Sequence, residues 1–138
     1  MPKEAEKIEN GLKYKILVVD DEQDLLRFFE RILGFEEYSV ITARNGLIGI
    51  EKNLEHDPDL ILLDLKMPGM HGIEVLRNVR KVDKDVIVII LTGSGDTESV
   101  REAADLNVYE YISKPTTLDV LKRVIKKALA SRKKKSSE

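Results

Sequence analysis

Five short apolar runs punctuate this chain, at residues 16–19, 40–42, 60–63, 86–91 and 109–112. All are brief and rich in β-branched or aromatic side chains, as strands are. The first, third and fourth contain no polar residue, so neither face is marked for solvent. Strands buried on both faces read this way, and they belong to parallel sheets covered by helices.

The segments between the runs carry helical spacing instead. Leu25, Phe29, Ile32 and Leu33 make one apolar stripe, and Gly34 is expected to end that helix. Leu47, Ile50 and Leu54 make a second stripe, closed by Asp57-Pro58. Ile73, Leu76 and Val79 make a third, Val100, Ala103 and Ala104 a weak fourth, and Leu118, Leu121, Ile125 and Leu129 a strong fifth. Strand then helix, five times over, predicts an α/β fold. Right-handed crossovers put its helices on both faces of a five-stranded doubly wound parallel sheet. Residues 1–13 read as a polar leader, 14–130 as the folded domain and 131–138 as a basic tail or a truncated linker.

Composition removes several classes of function. The net charge of −2 gives no global attraction to nucleic acid or to an anionic membrane. There is no cysteine, hence no disulfide, thiolate metal site or cysteine nucleophile. The apolar runs are too short to span a bilayer, and the charged amino terminus lacks an apolar signal region. A cytoplasmic protein that binds neither membrane nor nucleic acid through this domain is the expectation.

In doubly wound sheets, ligands bind beyond the carboxyl ends of the strands. The first run is followed by Asp20-Asp21-Glu22, the third by Asp64, the fourth by Thr92 and Gly93, and the fifth by Ser113-Lys114-Pro115. Three carboxylates, a hydroxyl and an ammonium therefore converge on one edge of the sheet. Crowded carboxylates raise one another's pKa unless a cation compensates. Oxygen donors without a Cys or His pair suit a hard cation, Mg²⁺ above all. A metal and a lysine can neutralise a transferring phosphoryl group, and an aspartate can accept it as an acyl phosphate. Each residue alone has an ordinary reading: a helix cap for Asp20-Asp21, a loop carboxylate for Asp64, a strand end for Thr92 and a turn for Lys114-Pro115. Their coincidence at four strand ends carries the argument.

With these residues in place, the sequence resembles the receiver domains of two-component response regulators, with a flavodoxin-like receiver fold. The resemblance spans roughly residues 15–129 and rests on Ile16-Leu17-Val18-Val19-Asp20-Asp21-Glu22, on Leu62-Leu63-Asp64-Leu65-Lys66-Met67-Pro68-Gly69-Met70-His71-Gly72, on Leu91-Thr92-Gly93 and on Tyr111-Ile112-Ser113-Lys114-Pro115. It implies that Asp64 accepts a phosphoryl group from a histidine kinase, a phosphotransfer protein or a small acyl phosphate. It implies Mg²⁺ ligation by Asp20, Asp21, Asp64 and the Lys66 backbone carbonyl. Thr92 and Lys114 would contact the phosphoryl group, Tyr111 would be the switch aromatic, and the Lys114–Pro115 bond would be cis. The face of the fourth helix, fifth strand and fifth helix would control an output domain or target protein, with homodimerisation on phosphorylation as one outcome. Such a domain is no enzyme beyond catalysing its own phosphorylation and dephosphorylation.

The sequence departs from the commonest pattern in places. Asn107-Val108 stands where similar domains often have Gly-Ala, and Asn tolerates the left-handed backbone that the turn needs. Lys66 and Ser94 occupy positions that influence water access in similar domains, and neither readily orients a water, which predicts a persistent phosphorylated form. His56 and His71 lack metal-ligand spacing and read as surface residues. A haloacid-dehalogenase phosphatase would show Asp-x-Asp after its first strand, and a dinucleotide-binding domain would show Gly-x-Gly-x-x-Gly there. Neither motif occurs. The remaining alternative is a receiver-like interaction module that phosphorylation does not regulate.

Overall fold

The computed structural model describes residues 13–93 and 97–132. The leader up to residue 12, Ser94 and the tail from 133 lie outside the described residues. The element order is β1 (Lys15–Val19), α1 (Gln23–Phe35), β2 (Ser39–Ala43), α2 (Gly46–His56), β3 (Leu60–Leu63), α3 (Gly72–Val82), β4 (Ile87–Thr92), α4 (Thr97–Asp105), β5 (Glu110–Ser113) and α5 (Leu118–Ser131). The strands form one parallel sheet in the order β2-β1-β3-β4-β5, the doubly wound arrangement expected from the alternation of runs.

Successive side chains of a strand point to opposite faces, so each central strand feeds two cores. Ile16, Val18, Leu60, Leu62 and Ile89 meet Leu26, Phe29 and Leu33 of α1 and Leu121, Ile125 and Leu129 of α5. Leu17, Val19, Ile61, Leu63, Val88 and Ile90 meet Ile73, Leu76 and Val79 of α3, with Ala103 of α4. β3, and β1 and β4 apart from Lys15 and Thr92 at their ends, are apolar because both faces are covered, whereas the edge strands β2 and β5 are only partly buried.

The helix faces differ from the expectation in detail. α1 buries Leu26, Phe29 and Leu33 rather than Leu25, and it runs past Gly34 to Phe35. The left-handed residue after it is Glu37 (φ 68°). α2 turns Gly46, Gly49 and Asn53 inward, leaving Leu47 and Leu54 64% and 63% exposed, against the expected stripe. The reason is close approach: a Cβ on Gly46 would lie 2.8 Å from Val75 Cγ2, and one on Gly49 3.0 Å from Val19 Cγ2. α2 sits where only glycine fits, with Leu47 and Leu54 facing out and Ile48 and Ile50 partly buried against the core. α4 buries Ser99 and Ala103, while Val100 and Ala104 are exposed. Asn107 is left-handed (φ 63°), as the turn before β5 requires.

Candidate phosphoryl-acceptor site

The sheet order reverses beside β1, so the carboxyl ends of β1 and β3 open onto a crevice. Asp20 and Asp64 each sit one residue beyond their strands, and ladder hydrogen bonds continue to hold them. Asp20 N–H donates to the Ala43 carbonyl at 3.1 Å, and Asp64 N–H to the Val19 carbonyl at 3.0 Å. Both are buried, at 3% and 7% exposure, and Asp21 beside them is exposed. Carboxylate oxygens of Asp20, Asp21 and Asp64 all lie within 4.8 Å of one another. Asp20 Oδ1 also accepts the Glu22 amide at 3.0 Å, which tightens the turn into α1, although no side chain caps that helix.

β4 and β5 deliver the other two groups. Thr92, the last residue of β4, is 1% exposed, and its side chain hydrogen-bonds the Asp64 carboxylate. Lys114 follows β5 and is tied to β4 by its amide, which donates to the Thr92 carbonyl at 2.8 Å. Its Nζ lies 3.1 Å from Asp20 Oδ2 and 3.9 Å from Glu22 Oε1. The Lys114–Pro115 bond is cis. Tyr111, on β5, is half-buried against the α3–α4 core.

Burial pushes the Asp64 carboxyl above its ordinary pKa, and the Asp20 charge adds to that. The Thr92 hydrogen bond, the Lys114 ammonium and the Lys66 backbone amide work against the rise. Lys66 thus reaches the site through its main chain. The loop after Asp64 is drawn close by Gly72, whose N–H donates to the Leu65 carbonyl at 2.7 Å. A Cβ on Gly72 would clash with the Asp64 carbonyl oxygen and lie 2.6 Å from Leu65 Cα.

Three polar residues of consequence escaped the sequence reading. His71 caps α3, its Nδ1 accepting the Ile73 amide at 3.1 Å. Arg80 is buried against main-chain carbonyls. Arg132, at the end of α5, pairs with Asp59 Oδ1 at 3.4 Å, and Asp59 Oδ2 accepts the Lys15 amide at 2.8 Å. Among the described residues, no helix is long and apolar enough to cross a membrane.

Comparisons with known proteins agree with this arrangement. The profile of the response regulator receiver domain matches residues 16–126. Sporulation initiation phosphotransferase F of Bacillus subtilis (strain 168) is 35% identical over 115 residues, covering 83% of this chain and 93% of that protein. Response regulator ArlR of Staphylococcus aureus (strain Mu50 / ATCC 700699) is 39% identical over 107 residues, 78% of this chain but 48% of that protein, so the match spans about half of that relative. A response regulator receiver domain protein from Clostridium thermocellum superposes with a TM-score of 0.78 at 34% identity, covering 83% of this chain and 93% of that one. One from Methanospirillum hungatei JF-1 gives 0.78 at 31% identity, covering 83% and 92%. Sequence profile, relatives and fold coincide, and the chain belongs to the response regulator receiver domains of two-component signalling.

Proposed function

We propose that this domain is a phosphorylation-dependent signalling switch with Asp64 as its phosphoacceptor. The observation that carries the reading is the setting of Asp64, which is buried, hydrogen-bonded by Thr92 and within 4.8 Å of Asp20 and Asp21. In the transfer, an Asp64 carboxylate oxygen attacks the donor phosphorus. The new O–P bond forms as the P–N bond to a phosphohistidine breaks, and the electron pair stays on the imidazole nitrogen. The donor is a histidine kinase or phosphotransfer protein, and a small acyl phosphate serves equally.

The donor set fits Mg²⁺, since three carboxylates converge and, among the described residues, no sulfur or imidazole joins the cluster. Asp20, Asp21, Asp64 and the Lys66 carbonyl would hold the ion. When bound, it supplies positive charge against the carboxylates and the phosphoryl oxygens. The chain's own groups do the rest. Lys114, now on Asp20, would pair with a phosphoryl oxygen, and Thr92, now hydrogen-bonded to the Asp64 carboxylate, would turn its hydroxyl to the phosphoryl group.

The output surface in this reading is the face of α4, β5 and α5 around Tyr111. Val100 and Tyr109, 43% and 38% exposed, offer it apolar contact for an output domain, a target protein or a second copy. Reversing a two-state equilibrium completely takes about 5.5 kcal/mol of differential interaction. Charge-assisted hydrogen bonds contribute roughly 1.5–3 kcal/mol each, so the Thr92 and Lys114 contacts are of the right size. The protein acts in the cytoplasm and turns over no substrate besides its own phosphoryl group. Incubation with Mg²⁺ and acetyl phosphate or phosphoramidate, read by intact mass, tests the reading. A metal-dependent gain of one phosphoryl group, absent in Asp64→Asn, is expected. No gain from any donor, with the fold intact, leaves the unphosphorylated interaction module instead.

A further inference from the structure

α4 is held to the domain differently from its neighbours. α3 buries Ile73, Val75, Leu76 and Val79, whereas α4 buries only Ser99 and Ala103. Much of its attachment is polar and comes from α3. Arg77 pairs with Glu102 across the two helices, their side chains 48% and 39% exposed. One turn further along α3, Arg80 is only 9% exposed. Its Nε donates to the Leu106 carbonyl at 2.8 Å and its Nη2 to the Asn107 carbonyl at 3.0 Å. Its Nη1 donates to the carbonyls of Asp83 at 3.2 Å and Val86 at 2.8 Å.

A guanidinium keeps its charge in proteins, so Arg80 is a buried cation solvated by these carbonyls. Two of them belong to the carboxyl-terminal end of α4 and its left-handed turn, where helix carbonyls lack intrahelical partners. The other two belong to the loop between α3 and β4. The two contacts on α4 therefore differ in kind. The one at its end is buried and made through two nitrogens, whereas the one at mid-helix is a single exposed pair that solvent and salt weaken.

We propose that Arg80 is the pivot about which α4 turns, and that the Arg77–Glu102 pair is the latch that holds α4 against α3 in the unphosphorylated protein. At 1.5 Å per residue, Thr97 lies about 13 Å from Leu106 along the axis and Glu102 about 6 Å. A swing that begins beside Thr92 is therefore largest at the amino end of α4, stretches the latch and leaves the pivot in place. The proposal rests on the phosphoacceptor reading only for its effect on rate. The attachment of α4 is measurable without phosphorylation.

The test compares the wild type with Glu102→Gln, Arg77→Gln, the exchange Arg77→Glu/Glu102→Arg, and Arg80→Lys. Lysine keeps the charge but places its donors on one nitrogen, so it cannot span both loops. Amide exchange in α4 is followed without phosphate, and the initial rate of phosphorylation by acetyl phosphate with Mg²⁺. Each single latch variant is expected to raise both by about 1.5- to 5-fold, the range of an exposed ion pair. The charge exchange should restore both, and high salt should erase the differences. Arg80→Lys should lose protection at the Leu106–Val108 amides, which the latch variants keep. Wild-type exchange and rate in the latch variants, or no recovery in the charge exchange, overturns the latch. Retained protection in Arg80→Lys overturns the pivot. If the wild type itself takes no phosphoryl group, the acceptor reading fails, and exchange alone decides latch and pivot.

Discussion

Replacing Asp64 by Asn should stabilise the metal-free protein, although it removes the proposed phosphoacceptor. Asp20 and Asp64 are both buried, and their oxygens lie within 4.8 Å. Two like charges at that separation repel by about 3.5 kcal/mol at an effective dielectric constant of about 20. Lys114, 3.1 Å from Asp20, offsets part of this. Asp21 is exposed and screened, so its charge adds little. A net relief of about 1–2 kcal/mol remains, because Asn keeps an acceptor for Thr92 and for the Lys66 amide. For a domain of this size that raises Tm by about 3–8 °C. The assay is urea unfolding at neutral pH, in chelator and in millimolar Mg²⁺. A bound ion would stabilise the wild type by about 1.4 kcal/mol at ten times its Kd, and Asn would give up one of the proposed ligands, so the gap should close. An Asn variant less stable than wild type in chelator, or equally advantaged at saturating Mg²⁺, would refute the reasoning.

Since the native Asp64 pKa is raised above its ordinary 3.8, the folded state binds more protons than the unfolded one between those values. Metal-free stability contributed by this group is then full below that window and lost as pH rises through the native pKa. Urea titrations across pH should show the decline in wild type and not in Asp64→Asn. Gly72→Ala should cost about 1–3 kcal/mol, because its Cβ meets Asp64 and Leu65 backbone that cannot swing aside. A lowered Tm together with slower phosphorylation checks it. His71→Ala should cost about 1 kcal/mol through loss of the α3 cap, and His71→Asn should restore most of it, as read by thermal unfolding.

How much of this was readable beforehand follows from what a periodicity can register. β1, β3 and β4 stood out because burial on both faces leaves no polar alternation. The gathering of Asp20, Asp21, Asp64, Thr92 and Lys114 followed from looking just past each strand. The inward face of α2 does not show in its large apolar residues, because Gly46 and Gly49 set how near the helix comes to Val75 and Val19. Gly34 looked like a stop, yet Glu37 takes the left-handed position. Arg80 did leave a signal, lying four residues after Leu76 and seven after Ile73, on the apolar side of α3. No local pattern joins Asp59 to Arg132, which meet only when the sheet and α5 close together.

The central claim is that Asp64 carries the phosphoryl group, and chemical trapping tests it most directly. The protein is phosphorylated with acetyl phosphate and Mg²⁺, reduced with borohydride, digested and mapped by tandem mass spectrometry. An acyl phosphate on Asp64 is reduced to homoserine at position 64, and that residue alone should be converted. Conversion at another carboxylate, or none in protein that has gained phosphate, would contradict the account.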